Sequence, residues 1–357
     1  MPFLSSAWYV AAFSREVIAD APFARTLLDR PLVFYREPGG TVVALEDRCP
    51  HRFAPLSRGR LIDGALECPY HGLRFGAAGT CVLNPHGDGR VPAGARARCY
   101  PTRERYGAIW IWMGEAQQAE RVPLPDFDFL DPERNVTSEG YLLTQANYQL
   151  SADNLLDLSH FQYLHPDTLG SDMMARGTVQ SASEGDTVRV RRIMQGEMLR
   201  PFVGQAFGLP DGKAADRELD VCWKPPGLLT ITVSVREAGA PPEMARVGMS
   251  AHWLTPETAT RTHYFFAFGL PREMGEEGAA LVQYSVEGLM KPFRDEDLPM
   301  LEAQQRAIGG RDFWSLRPAM LPIDAGAVRA RRIMERLIAD ETALGDTAGI
   351  QAFEAVR

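Results

Sequence analysis

Two short segments of the sequence pair a cysteine with a histidine: Cys49-Pro-His51 and Cys68-Pro-Tyr-His71. Thiolates and imidazoles together bind either tetrahedral zinc or a [2Fe–2S] cluster. The one-residue spacing in the first segment differs from the cysteine and histidine loops of zinc fingers. Each segment supplies one sulfur and one nitrogen, which suits a cluster with two cysteines on one iron and two histidines on the other. The pattern therefore predicts a [2Fe–2S] cluster, with structural zinc as the alternative.

A second group of side chains that could bind a metal lies in the middle of the chain. Asn154, Asp157 and His160 recur every three residues, which on a helix places them along one polar stripe. His165 follows His160 by five positions, so the two imidazoles would diverge by about 140° on a regular helix. Pro166 disfavours helical conformation at the residue before it. We therefore expect the helix to end or bulge there, which would bring the two histidines together.

Two histidines leave room for a carboxylate, because the 2-His-1-carboxylate set binds non-haem Fe(II) and keeps positions open for O₂. Asp297 is the candidate, although on spacing alone Asp295 or Glu296 would serve nearly as well. A redox cluster in the same chain favours this interpretation, since delivered electrons need an acceptor. Asp157 is interpreted as the acceptor that fixes the His160 imidazole. The alternative for Asp297 is an ordinary acidic residue in the first turn of a helix. The alternative for Asp157 is a carboxylate that is merely solvated.

The elements that must position these residues fall into two predicted domains. Residues 1–118 alternate short apolar runs with turn signals, which predicts a small all-β domain. Within it, Asp63-Gly64 is the dipeptide of a tight hairpin that would bring the two cysteine segments together. Residues 119–135 are rich in proline and acid and are predicted to be a linker.

The remaining residues, 136–357, are predicted to form an α+β domain in which helices pack on an antiparallel sheet. The predicted elements are a helix over 151–163, strands over 247–254 and 262–270 with a turn at 255–258, and helices over 295–308 and 324–339.

Composition excludes several classes of protein. The chain has 357 residues, with 38 Lys and Arg against 46 Asp and Glu, so its net charge is −8. That balance argues against a nucleic-acid partner, which would require a basic surface. The first basic residue, Arg15, follows the N-terminal apolar stretch, so we expect no secretory signal. The apolar runs are too short to span a membrane, and we expect a cytoplasmic protein with no membrane partner.

The two metal motifs and several other stretches resemble the oxygenase component of Rieske non-haem iron aromatic oxygenases. Within that family the resemblance is to the vanillate O-demethylase and dicamba monooxygenase group, and it covers nearly the whole length. The matching stretches are residues 7–12, 49–57, 68–73, 84–87, 254–258 and 317–321.

The resemblance implies a Rieske domain joined to a helix-grip catalytic domain, in a ring-shaped homotrimer. It implies that His71 of one subunit meets Asp157 of the next, and that Asp157 also holds His160. It selects Asp297 as the third iron ligand. It places Asn154 close to the iron without making it a firm ligand.

The resemblance also implies the reaction. O₂ and electrons derived from NAD(P)H would oxidise a small aromatic acid, with O-demethylation of a methoxybenzoate-like acid to a phenol and formaldehyde as the leading prediction. No Gly-X-Gly-X-X-Gly stands between a strand and a helix, so NAD(P)H must be oxidised by a separate reductase, with or without a ferredoxin. The alternatives are hydroxylation of a ring, a benzylic methyl or a non-aromatic substrate, and a Rieske electron-transfer protein without oxygenase chemistry.

Two residues are predicted to contact substrate. His252 lies on a predicted strand and would face a substrate carboxylate or hydroxyl, while a hydrogen-bonded structural histidine is the alternative. Thr230 lies on a predicted neighbouring strand. Gly288 stands where the dicamba group can carry a bulky aromatic residue, which argues against that exact substrate.

Overall fold

Residues 3–210 and 212–354 are described by a computed structural model, with side chains of the last helix described as far as Leu344. The contacts divide the chain into two units. One unit comprises 5–126, and the other begins at Phe127 and includes Phe3 and Leu4. The division falls within the predicted linker, 119–135, while the predicted domain limits themselves stay a prediction.

Short antiparallel strands and one single-turn helix make up the N-terminal unit. In chain order they are β1 (Trp8–Phe13), β2 (Phe23–Leu27), β3 (Arg30–Arg36), β4 (Val42–Glu46), β5 (Arg60–Ile62), β6 (Ala65–Glu67), β7 (Arg74–Phe75), β8 (Cys81–Leu83), β9 (Cys99–Tyr100), β10 (Thr102–Arg105), β11 (Ala108–Trp112) and α1 (Ala116–Ala119). They form one sheet of order β1-β11-β10 and two of order β2-β3-β4-β9 and β5-β6-β7-β8. The predicted all-β character is confirmed.

The hairpin at Asp63-Gly64 joins β5 to β6. Ile62 pairs directly with Ala65, so the loop has two residues. Both central residues have positive φ, 51° at Asp63 and 76° at Gly64, as a type I′ turn requires. The predicted hairpin is confirmed, and it separates the two cysteine segments along the chain.

A single antiparallel sheet with helices makes up the larger unit. Its elements are β12 (Asn135–Thr144), α2 (Tyr148–Leu156), α3 (Phe161–Leu164), β13 (Thr178–Glu184), β14 (Thr187–Met198), α4 (Pro201–Ala206), β15 (Ala214–Lys224), β16 (Leu228–Glu237), β17 (Arg246–Thr258), β18 (Arg261–Pro271), α5 (Gly275–Lys291), α6 (Leu298–Ile308) and α7 (Ala325–Glu354). The strand order is β12-β18-β17-β16-β15-β14-β13. Helix α5 packs on β12 and β18, and α7 packs on α2, β13 and β14, so the predicted α+β architecture is confirmed.

Four predicted elements differ from the structure. The helix over 151–163 is broken at Asp157, whose extended conformation (φ −126°, ψ 96°) ends α2. Its carboxylate accepts from the Ser159 backbone N–H and caps a new turn, a competing hydrogen bond that helical periodicity does not reveal. The turn predicted at 255–258 is wrong, because β17 continues to Thr258 and accommodates Pro256 beside a bulge.

The helix predicted over 295–308 begins at Leu298, because a π-helical turn, Pro292–Asp297, precedes it. The helix predicted over 324–339 begins at Ala325 and extends to Glu354. In the described part of the chain, every helix is too short or too polar to cross a bilayer.

A buried ion pair fixes α7 against α2. Arg331, 6% exposed, donates to both oxygens of Asp153 at 2.6–3.1 Å and to Gln149 Oε1 at 2.9 Å. Burial raises the pKa of Asp153 despite the guanidinium. The carboxylate of α2 therefore depends on Arg331 for its charge compensation.

We expect Arg331→Met to destabilise the larger unit by about 2 kcal/mol, because it leaves Asp153 unpaired. The loss is smaller than for a fully buried pair because a quarter of the Asp153 side chain, 25%, is exposed. Denaturant unfolding measures it, with the exposed Arg332→Met on the same helix as control. Equal stability of the two variants would contradict this account.

Candidate metal centres and substrate cavity

The two cysteine segments form loops of the same backbone design. In each loop the cysteine N–H donates to the carbonyl five residues on, Ala54 after Cys49 and Leu73 after Cys68, at 2.9 and 2.8 Å. The cysteine carbonyl accepts from the residue four positions on, and that residue has positive φ: 59° at Phe53 and 72° in the second loop. The loops thus present their side chains alike although their Cys–His spacings differ.

These loops bring the four predicted cluster ligands together. Cys49 and Cys68 are 1% and 2% exposed, and the rings of His51 and His71 lie 4.6 Å apart. Burial raises the pKa of the Cys49 thiol to about 11. Burial, and then the neighbouring His51, lower the pKa of His71, which favours the neutral imidazole that binds metals. Two buried thiols and two adjacent imidazoles fit a [2Fe–2S] cluster, whose binding would release the thiol protons.

His160, His165 and Asp297 form the second candidate centre. Asp297 Oδ1 lies 3.4 Å from His160 Nε2 and 3.1 Å from His165 Nε2. One ligand atom from each residue lies within 4.8 Å of the others, so the three could hold one metal ion. Two imidazole nitrogens and one carboxylate oxygen are the donor set of non-haem Fe(II).

Two local departures from regular helix create this cluster. Helix α3 ends at Leu164, and His165 adopts a non-helical conformation (φ −118°, ψ 46°), in keeping with the bias against helix before a proline. The π-helical turn ends at Asp297, which is 5% exposed. Such wide turns are common at functional sites.

Hydrogen bonds fix both imidazoles, but the group that holds His160 is not the predicted carboxylate. His160 Nδ1 donates to the backbone carbonyl of Asp157 at 2.7 Å. The Asp157 carboxylate instead accepts from Ser159 N and Oγ, at 3.0 and 2.7 Å, and from Arg192 at 3.0 Å. The prediction that the Asp157 side chain holds His160 is therefore wrong, because residue spacing cannot distinguish a carboxylate from the carbonyl of the same residue.

The three acidic residues 295–297 have separate surroundings. Asp297 faces the two histidines, and Asp295 is paired with Arg294. Glu296 Oε2 accepts from His165 Nδ1 at 2.5 Å and from Thr168 Oγ1 at 2.8 Å. Glu296 thus orients His165, a role that sequence reasoning missed; an acid next to a predicted ligand is the only signal for it.

The Asp297 carboxylate and the His165 imidazole of this cluster shift one another's pKa. Burial by itself would raise the pKa of Asp297, but hydrogen bonds from His160 and His165 outweigh it and lower that pKa. Burial would lower the pKa of His165, yet Asp297 and then Glu296 outweigh it and raise that pKa. Asn154 Nδ2 adds a donor to Asp297 Oδ1 at 3.0 Å. The cluster favours an ionised carboxylate with positive charge beside it, which a metal cation can supply.

A cavity of about 990 Å³ reaches this cluster, because Asn154 and Asp297 line it. Its other walls are mainly apolar and come from β15–β18, α4 and α5. A Cβ on Gly288 would lie 1.9 Å from Phe202 Cε2, so the Phe202 ring occupies the space of a side chain at that position. The volume suits a small organic ligand.

The two predicted substrate residues have different positions. His252 lines the cavity, although both of its ring nitrogens are hydrogen-bonded within the protein. Thr230 does not line it: on β16 the lining residues are Ile231 and Val233, and successive strand residues face opposite sides. Thr230 is therefore corrected to the far face of the sheet, because register decides which alternate set faces the ligand.

Family models match both units. The Rieske [2Fe-2S] domain model matches residues 7–101, and the vanillate O-demethylase oxygenase C-terminal domain model matches residues 144–340. The chain belongs to the Rieske non-haem iron oxygenase components. The protein therefore carries a [2Fe–2S] cluster and a mononuclear non-haem iron as its cofactors.

Individual relatives match this oxygenase component along nearly its whole length. It is 39% identical to "Dicamba O-demethylase, oxygenase component" of Stenotrophomonas maltophilia, covering 94% of this chain and 98% of the relative. It is 37% identical to a vanillate O-demethylase oxygenase subunit of Pseudomonas sp. (strain HR199 / DSM 7063), covering 97% and 98%. A crystal structure of dicamba monooxygenase bound to 3,6-dichlorosalicylic acid superposes with a TM-score of 0.87 at 36% identity, covering 96% and 99%.

We expect Glu296→Gln to weaken Fe²⁺ binding by about 10- to 100-fold. The hydrogen bond from His165 to the Glu296 carboxylate orients the imidazole and raises its basicity, and a neutral amide would make that bond weaker. Competition with a chelator measures the affinity. Asp295→Asn is the matched control, since that exposed carboxylate contacts Arg294 instead. If both variants bound iron as the parent does, Glu296 would have no part in holding His165.

Proposed function

We propose that this oxygenase component O-demethylates a small methoxybenzoate-like aromatic acid to a phenol and formaldehyde. One oxygen atom of O₂ would enter a methyl C–H bond and the other would leave as water, with two electrons from NAD(P)H and two protons. The hydroxymethyl ether would then collapse to the two products. The observation that carries the proposal is the apolar cavity lined by Asp297, the carboxylate that lies with His160 and His165. The names of the two O-demethylase relatives support the reaction type.

The residues divide the work between the two centres. Cys49, His51, Cys68 and His71 would hold the cluster. His160, His165 and Asp297 would hold the iron, which supplies O₂ activation when bound.

The chain's other groups position and shield the reaction. Leu155 and Leu158 line the cavity beside Asn154, and they exclude water from the substrate methyl group. Asn154 keeps the Asp297 carboxylate in place through its N–H donor.

We further propose a homotrimer in which His71 of one subunit approaches Asp157 of the next. Phe53 and Tyr70, 67% and 59% exposed, flank the cysteine–histidine loops and offer an apolar contact surface. On the larger unit, Asp157 and His160 line a separate depression of about 280 Å³. Exposed apolar side chains of this kind are typical of protein interfaces. Electrons would arrive from an NAD(P)H-dependent reductase, with or without a ferredoxin.

The alternatives are weaker. No feature of the described residues favours hydroxylation of a ring, a benzylic methyl or a non-aromatic substrate over O-demethylation. A Rieske protein that only transfers electrons would need neither the three-ligand cluster nor the cavity beside it. The cytoplasmic location stays a prediction of the sequence.

A single-turnover experiment tests the reaction. We expect chemically reduced enzyme, mixed with O₂ and a panel of methoxybenzoates, to release formaldehyde and the matching phenol in equal amounts. The assay needs no reductase, and His160→Ala should release none because it removes a proposed iron ligand. Ring- or methyl-hydroxylated products without formaldehyde would instead support the hydroxylase alternative.

We expect Asp157→Asn to keep both metal centres but to slow electron delivery by about 10-fold or more. Iron binding should survive because the Asp157 backbone carbonyl, which the substitution retains, holds His160. Stopped-flow reoxidation of the cluster measures the transfer, and metal analysis checks the iron. Asp167→Asn, which changes an exposed carboxylate shortly after α3, is the control. Unchanged reoxidation in Asp157→Asn would refute the proposed electron path.

A further inference from the structure

His252 is enclosed between two hydroxyl groups at the cavity wall. Its Nε2 lies 2.8 Å from Ser250 Oγ, and its Nδ1 lies 2.7 Å from the Tyr264 hydroxyl. All three residues are buried, with 1%, 4% and 5% of their surface exposed for His252, Ser250 and Tyr264. Ser250 and His252 line the cavity. The three groups form a hydrogen-bonded chain whose direction decides what it offers to a ligand.

The direction of donation along this chain follows from the number of protons that its three side chains carry. A neutral imidazole has one N–H and one acceptor nitrogen. If the proton were on Nδ1, Tyr264 would accept it, and its own buried hydroxyl proton would lack an acceptor among the described residues. With the proton on Nε2, Tyr264 donates to Nδ1 and His252 donates to Ser250 Oγ. This second arrangement leaves no buried donor unpaired between Tyr264 and Ser250.

Ser250 is the end of this chain. Once its oxygen accepts from His252, its hydroxyl proton must find an acceptor. The one described protein acceptor is the Ile231 carbonyl at 3.5 Å, beyond the usual O–H···O range. Since Ser250 lines the cavity, its hydroxyl proton is available to an acceptor on a bound ligand.

The wall around Ser250 offers hydrogen bonds without net charge. Burial lowers the pKa of His252 to about 3, so the imidazole is neutral at physiological pH. Arg217 also lines the cavity, but its guanidinium is paired with buried Glu197, with Nε 2.9 Å from Oε2. Arg246 is an exposed lining residue, and it donates to the Phe207 carbonyl. A carboxylate beside Ser250 would therefore lose its hydration without gaining a cationic side chain.

We propose that Ser250 is the substrate-binding donor, with His252 and Tyr264 as positioning residues. The ring substituent is recognised as a hydrogen-bond acceptor, a carbonyl or carboxylate oxygen, and not as an anion. The inference rests on the proposed function only in taking the ligand to be a methoxyarene. Neutral methoxyaryl amides and ketones are therefore ligands of the same site as the acids.

Calorimetric titration of the iron-loaded enzyme without O₂ tests this assignment. The probes are 4-methoxybenzamide, 4-methoxybenzoate and 4-methylanisole, which share the methoxy group and differ in the acceptor. We expect Ser250→Ala to weaken binding of the amide and of the acid by about 5- to 10-fold, and to leave 4-methylanisole within about 2-fold. Ser250→Thr keeps the hydroxyl and should restore most of the affinity.

Tyr264→Phe tests the chain itself. We expect it to weaken amide binding by about 2- to 3-fold in the parent enzyme, because the hydroxyl polarises His252 and Ser250. In the Ser250→Ala background it should have no further effect through Ser250, since the hydroxyl that the chain polarises is already gone. Strictly additive losses would contradict a connected chain.

Other outcomes overturn the proposal outright. These are unchanged amide affinity in folded Ser250→Ala, an equal loss for 4-methylanisole, or acid binding more than about tenfold tighter than amide binding. If Arg246→Gln abolished tighter binding of 4-methoxybenzoate than of 4-methoxybenzamide, Arg246 would be the group that recognises the substrate, as an anion. These measurements are made without turnover, so absent formaldehyde would count against the proposed reaction and not against the Ser250 assignment.

Discussion

The buried carboxylate of Asp297 is the constraint around which the larger unit is organised. A carboxylate with 5% exposure is tolerated only with compensating positive charge and donors. The structure supplies two imidazoles and the Asn154 amide from one segment of chain. The broken helix and the π-helical turn allow these groups to converge, at the cost of regular hydrogen bonding in both elements.

Residues of the cluster line two openings of the larger unit. Asp297 lines the apolar cavity, and His160 lines the depression together with Asp157. Asn154 lines both. Under the proposed function, substrate would approach Asp297 from the cavity, and electrons would approach His160 from the depression. The ion pair of Asp157 and Arg192 is absent from the residues that line the cavity, where water must be excluded.

The cavity combines shape with neutral polarity. Phe202 occupies the space beside Gly288, so a ring from α4 takes the place of a larger side chain on α5. The polar groups inside are held as pairs or as a chain: Arg217 with Glu197, and Tyr264 with His252 and Ser250. Within the chain of Tyr264, His252 and Ser250, the Ser250 hydroxyl is the donor without a protein acceptor at normal distance among the described residues, which is what a recognition site requires.

The sequence by itself determined the ligand types, the Asp63-Gly64 hairpin and the α+β class, because these follow from local chemistry and periodicity. It also placed a helix end before Pro166. Only the tertiary structure decided which of two adjacent residues or groups contacts a given site. Asp297 and Glu296 divide their roles, Asp157 supports His160 through its carbonyl, and Ile231 rather than Thr230 faces the cavity. These outcomes depend on rotations of about 100° between helical neighbours and 180° between strand neighbours. Long-range packing fixes those rotations, and spacing along the chain leaves them open.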